Sequence, residues 1–178
     1  MAMVSENYKK IESKAFWYLE RYASSSKNLR DYLRRKVRDT DLNQDSEIII
    51  NQIIIHLEKQ NILNDGVFSE SKAKTFINKG WSLSKIKFRL KQLGINDDTI
   101  EICIENIKSE EFDVELFAAS KLVKKRFIGP FRRKELDDKL KNREFGILAR
   151  AGFNYALSKK LLYDLSVEEI EEIINNYI

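Results

Sequence analysis

The chain has 178 residues, 43% apolar and 34% charged, with a net charge of +4, six glycines, one proline and one cysteine. This length suits one compact domain or one elongated row of modules, and few breakers beside much Lys, Glu, Leu and Ile favour helices over sheets. A lone Cys103 excludes a disulfide framework and fits a reducing compartment; no stretch is apolar enough to span a membrane or serve as a signal segment, so a cytoplasmic protein is expected.

Residues 1–10 are polar and expected to be a flexible N-terminus. From Ile11, the residues Ala15, Phe16, Leu19 and Tyr22, with Trp17 and Tyr18 between them, predict a short amphipathic helix. Ser24, Ser25 and Ser26 end it and cap a second helix, which sets Leu29, Tyr32, Leu33 and Val37 on one side. A polar link follows from Asp39 to Asp45. The runs Ile48-Ile49-Ile50 and Ile53-Ile54-Ile55 look strand-like, but Ile49, Ile50, Ile53, Ile54 and Leu57 recur at three and four, which predicts a third helix ending near Gln60-Asn61.

Asn64-Asp65-Gly66 reads as a turn. A helix with Phe68, Ala73, Phe76 and Ile77 follows and stops at Lys79-Gly80. The next carries Leu83, Ile86, Leu90 and Leu93 and ends at Gly94; Asn96 caps a third with Ile100, Ile104 and Ile107. Beyond Phe112, the residues Leu116, Ala119, Val123 and Phe127 form one stripe, broken at Gly129-Pro130. A longer polar helix is expected from about Arg132 to Ala151, stopping at Gly152. Glu144 falls between Leu140 and Leu148 on the face that should be apolar, so this helix is expected to bend there or be cut short. Asn154 caps a helix with Leu157, Leu161 and Leu162, and Ser166-Val167-Glu168-Glu169 is a capping box opening a final helix through Ile178.

A fragment recurs along this order. Ser25 to Leu33, Ser82 to Ile95 and Glu144 to Phe153 align so that Leu33, Leu90 and Leu148 lie in register, roughly 57 residues apart. The reading is all-α: an elongated, curved array of three tandem three-helix repeats at 11–63, 64–110 and 111–178, the last including the C-terminal helix. An array offers a long surface rather than a central pocket, which points to binding a macromolecule.

Catalytic chemistry finds little support. His56 is the only histidine and has no convergent partners for a triad or a metal; it reads as a partly buried helix residue, and Cys103 as a small core residue. No glycine loop would cradle a phosphate. Neither an enzyme nor a bound cofactor or metal is expected.

Charge is uneven. From Leu116 to Lys134 there is no acid; from Leu161 to Ile178 there is no Lys or Arg but five acids. One end of the molecule is expected to be basic and the other acidic. On an ideal helix Lys27, Arg30, Arg34, Arg35 and Arg38 lie opposite the apolar stripe, as do Lys85, Lys87 and Lys91 in the second module, with Phe88 outward among them. Phe88 either stacks on a base, anchors a protein contact or packs on a neighbouring module. Lys121, Lys124 and Lys125 lie off the third stripe, with Arg132 and Arg133 beyond the break. These clusters are expected to line a basic track making salt-sensitive, sequence-blind phosphate contacts.

From about Lys14 to Leu165 these residues resemble the RecX family of bacterial regulators of the RecA recombinase. The best-matching stretch is Ile62-Leu63-Asn64-Asp65-Gly66-Val67-Phe68, then Trp81, then Ile86 through Leu90-Lys91-Gln92-Leu93-Gly94-Ile95, joined later by Leu148-Ala149-Arg150-Ala151-Gly152-Phe153. The chain departs from the family where Asn28 and Arg89 stand in place of a Glu before the leucine, and where Leu93 replaces a Lys before the glycine. The resemblance implies three helical repeats lying in the groove of a RecA–DNA filament as a monomer. It further implies inhibition of ATP hydrolysis, strand exchange and stimulated repressor cleavage, and so modulation of DNA repair and the SOS response. Two other readings stand beside it: a stand-alone, sequence-nonspecific binder of single- or double-stranded DNA, and a helical scaffold for another protein.

Overall fold

The computed structural model describes residues 2–38, 46–109 and 112–176. The polar link at 39–45 and the last two residues of the expected final helix lie outside them. Among the described residues ten α-helices run in order: α1 (Ala2–Leu19), α2 (Ser26–Arg38), α3 (Ser46–Lys59), α4 (Asp65–Asn78), α5 (Leu83–Gln92), α6 (Asp97–Lys108), α7 (Val114–Arg126), α8 (Asp138–Arg150), α9 (Tyr155–Lys159) and α10 (Val167–Asn175). A 3-10 turn, Gly129–Phe131, lies between α7 and α8, and a π-helical turn, Lys160–Asp164, continues α9. The described residues contain no strand, so the all-α expectation holds, including for the isoleucine runs of α3. No helix among them is long and apolar enough to cross a membrane.

The chain divides into two compact units, Met1–Glu70 with Leu90–Ile100, and Ser71–Arg89 with Glu101–Ile178. In unit 1, α1, α2 and α3 pack together around Ile11, Ala15, Leu29, Leu33, Val37, Ile49, Ile50, Ile53, Ile54 and Leu57. The helix α1 begins upstream of Ile11, and its buried positions are Ile11 and Ala15, four apart. Phe16, expected on the stripe, and Trp17 beside it lie exposed, one and two positions off that face, and Tyr22 lies exposed beyond the end of α1. Asn64-Asp65-Gly66 is a helix start rather than a turn, because the Asn64 carboxamide oxygen accepts the Val67 N–H at 3.1 Å.

Unit 2 is organised by α7, which packs on α10 and on the π-helical turn, while α8 packs on α9. The buried face of α7 is Val114, Phe117, Ala118, Ala119, Leu122 and Val123. That face is broader than the expected stripe; Leu116 lies at its margin and Phe127 is exposed. The helix α8 starts six residues later than expected, where the Asp137 carboxylate accepts the Leu140 N–H at 2.6 Å. The capping box at Ser166 forms as read: its hydroxyl accepts the Glu169 N–H at 3.2 Å, and the Glu169 carboxylate accepts the Ser166 N–H at 2.7 Å.

The basic and acidic runs, expected at opposite ends, are neighbours. Burial of Ile170 and Ile174 holds α10 on α7, and Lys124 meets Glu171 at 2.7 Å. Apolar burial brings the two runs together, and opposite charges make the contact favourable.

Two glycines bring the elements of unit 2 close. Gly80 has φ +80°, and a Cβ there would stand 2.7 Å from the Leu122 Cβ. Gly152 has φ +93°, and its missing Cβ leaves room for the Ser82 hydroxyl. Gly80→Ala is expected to destabilise unit 2 by about 1–3 kcal/mol, through left-handed strain and displacement of α7. Thermal unfolding followed by circular dichroism checks this, and a neutral result would refute the close approach.

Candidate nucleic-acid interface

Local partners sort the basic side chains into two groups. Most of those singled out on α2 and α5 already meet acids or amides. In unit 1, Lys27 binds Asp31 at 2.6 Å. Half-buried Arg30 reaches Asn51 and lies 3.5 Å from Glu47. Arg34 chelates Glu47 at 2.5 and 3.0 Å, and its guanidinium, chiefly by hydrogen bonding, holds the Glu47 carboxyl below its ordinary value. Lys91 binds Asp97 at 2.9 Å. Arg35 and Arg38 lie exposed on the same helix as Arg34. In unit 2, Lys87 binds both oxygens of Glu101 at 2.7 Å, beside the outward Phe88. Each such pair cancels most of the field its cation would project.

A second group has no acidic partner among the described residues. A groove of ≈ 470 Å³ in unit 2 is lined by Lys79, Lys85, Lys125, Arg126, Arg143 and Arg150, with Gly80, Trp81, Leu122, Ile147 and Ala151 between them. None of its lining residues is acidic. Close packing builds it: Gly80 sets Lys79 and Trp81 beside α7, and Gly152 sets the end of α8 on the start of α5. Lys85, expected to point outward, folds back instead. Its ammonium lies 4.5 Å from the centre of the Trp81 ring and donates to the Arg150 carbonyl at 3.2 Å. Trp81 is itself stacked on Phe76, centroids 4.5 Å apart, so it holds a cation in place. Like charges crowded on low-dielectric walls focus the field and attract anions.

A neighbouring groove of ≈ 310 Å³ shares Arg126, Arg143 and Ile147 with the first and adds Phe127, Ile128, Arg132, Arg133, Lys134, Leu140 and one acid, Glu144. Arg133 lies 4.6 Å over the Phe127 ring. Arg132 is committed inward: it donates to the Glu144 carboxylate at 2.9 and 3.3 Å and to the Leu162 carbonyl at 3.1 Å. Glu144, 1% exposed, also accepts the Gly129 N–H at 3.3 Å. The helix α8 runs on through Glu144 to Arg150 rather than ending early; the acid on the apolar face is answered by Arg132. Lys121 lies over the Phe117 ring at 5.3 Å and Lys124 is paired with Glu171.

The structure thus brings Lys85, Lys125 and Arg133 together with Arg126 and Lys134 of the acid-free run, and with Lys79, Arg143 and Arg150, which sequence reasoning missed. One signal was legible: Arg143, Ile147 and Arg150 are spaced four and three apart, on one face of α8. His56 is exposed and Cys103 buried, and the described residues hold no cluster of three or more metal-ligating side chains.

Among the described residues the fold is all-helical and carries a basic groove. No protein-family model matches the chain. It is 26% identical to the regulatory protein RecX of Agrobacterium fabrum over 165 residues, which cover 91% of this chain and 86% of that protein. It is 28% identical to that of Clostridium perfringens over 168 residues, 94% and 74% of the two chains. It is 33% identical to that of Streptococcus uberis over 161 residues, 89% of this chain but 56% of the streptococcal one. A crystal structure of regulatory protein RecX superposes with a TM-score of 0.65 at 21% identity, covering 88% of this chain and 72% of that one. The RecX structure from Lactobacillus salivarius gives 0.63 at 19%, covering 97% and 99%. Along nearly its whole length the chain is related to the regulatory proteins named RecX, and the resemblance drawn from its motifs is borne out.

Two of these contacts lend themselves to direct measurement. Glu144→Ala leaves the Arg132 guanidinium inside without its acid and is expected to cost about 3–5 kcal/mol in denaturant unfolding; a loss near zero would contradict a buried pair. Glu115 accepts the Leu83 N–H at 2.6 Å at the start of α5, and burial raises its pKa above the usual carboxylate value. A raised acid binds its proton more readily folded than unfolded, so wild type gains stability as pH falls through that pKa. Glu115→Gln keeps the hydrogen bond without the charge, so its stability advantage over wild type at neutral pH should shrink on acidification. Unfolding across pH 3–7 (about the carboxylate range) checks the sign.

Proposed function

We propose that this chain is a regulator of the RecX type that binds a RecA–DNA filament, seating DNA phosphates in the basic grooves of unit 2. The observation that carries the reading is the set of six cations in one groove with no acid among its lining residues. Phosphate oxygens supply the counter-charge that the protein withholds, and such contacts are sequence-blind. Exposed Arg35 and Arg38 of α2 provide a secondary contact on unit 1. The similarity to proteins named as regulators supports a regulatory role. Burial of Leu33, Leu90 and Leu148 at 0% exposure supports three repeats in the stated register. Binding of this kind blocks access to the filament and so lowers ATP hydrolysis, strand exchange and repressor cleavage. It requires no cofactor and no second copy of the chain, and it acts in the cytoplasm.

The test is the DNA-dependent ATPase of the cognate recombinase. Wild-type chain is expected to lower it, and the triple variant Lys85→Ala, Arg143→Ala, Arg150→Ala to lose most of that effect at unchanged helicity. The slope of log affinity against log salt should flatten by about 2–3 in the triple variant, at roughly 0.7–0.9 per lost phosphate contact. An unchanged ATPase rate with wild-type chain would refute the filament reading. Tight DNA binding with no effect on the recombinase would favour the stand-alone DNA-binding alternative.

A further inference from the structure

We infer that Phe127 is a base-stacking residue, so that the paired grooves take single-stranded nucleic acid in preference to a duplex; this rests on the phosphate reading above. Phe127 terminates α7 in the left-handed conformation, φ 53° and ψ 48°, with its N–H donating to the Lys124 carbonyl. That position is commonly a glycine, and a bulky side chain there is strained. The ring gains little from the fold in return: it is 54% exposed, and among the described residues its ring contact is the Arg133 guanidinium. A costly conformation that displays an apolar ring to water is the pattern of a ligand-contacting residue.

Its surroundings name the ligand class. The ring lines the second groove with Arg126, Arg133, Lys134 and Arg143, cations without a described acidic partner. An aromatic face among unneutralised cations matches a strand that offers unstacked bases and phosphates together. A duplex offers its phosphates but keeps its base faces covered. Phe88, also exposed, lacks this setting: it sits within regular α5 beside Lys87, which Glu101 neutralises. Trp81 cannot take the role either, since Phe76 stacks on it and Lys85 lies over its ring.

The experiment uses the full chain and fluorescence anisotropy at low salt with three probes: an oligothymidylate, an abasic strand of the same length, and a duplex. Phe127→Ala is expected to weaken binding to the oligothymidylate by about 5- to 160-fold, the range for one lost base stack, and to leave the other two unchanged. Phe127→Gly should do the same while raising Tm, because glycine accepts the left-handed position freely. The double variant Arg143→Ala, Arg150→Ala should weaken all three. If Phe127 variants bind the intact strand like wild type, or weaken all probes equally, while the arginine variant still weakens binding, the stacking inference alone falls. If the arginine variant binds every probe like wild type, the phosphate reading falls and the stacking inference with it.

Discussion

Glu144 sits among apolar neighbours on α8 at 1% exposure, and its carboxylate takes both a guanidinium and a backbone N–H. A buried carboxylate without partners would be far costlier than any single apolar contact nearby is favourable, so the chain must bring a cation to it. Arg132 does so, and in reaching inward it also grasps the Leu162 carbonyl at the π-helical turn. The 3-10 turn at Gly129–Phe131 is thereby tied to α8 and to the end of α9. The next two residues along the chain, Arg133 and Lys134, are left at the surface with Phe127. One inward arginine thus sets the wall of the second groove.

The same rule of charge pairing shapes the remaining surface. Acids placed within about one turn or across a helix pair neutralise Lys27, Arg30 and Arg34 of α2 and Lys87 and Lys91 of α5. Where α4, α5, α7 and α8 converge in unit 2, the lining contains no acid, and the cations keep their field. Two chemically similar sets of lysines and arginines therefore do different work: one braces helices at small net gain, the other attracts anions.

Backbone freedom makes that convergence possible. Gly80 lets the chain between α4 and α5 lie against α7, and Gly152 lets the end of α8 lie against Ser82. With these approaches made, Lys85 finds both an aromatic face and a carbonyl without needing a carboxylate. The groove is thus assembled from the ends of α4, α5 and α7 together with one face of α8.

Helical periodicity was legible in the residues alone. The apolar spacing of α2, α3, α5 and α6, the caps at Asn96, Asn154 and Ser166, and the family motifs around Leu90-Lys91-Gln92-Leu93-Gly94 depend only on near neighbours in sequence, where 3.6-residue geometry and local hydrogen bonds decide the outcome. Partner choice was not legible. That Arg34 meets Glu47, that Arg132 turns inward to Glu144, and that Lys124 meets Glu171 are set by which helices pack together. A lysine on an ideal helical wheel points to solvent in every case; whether it ends on a carboxylate, an indole or open water depends on what the neighbouring helix brings. Sequence by itself determined the helices and the resemblance to the RecX proteins, and tertiary packing decided which charges remain available, because charge cancellation acts across space and not along the chain.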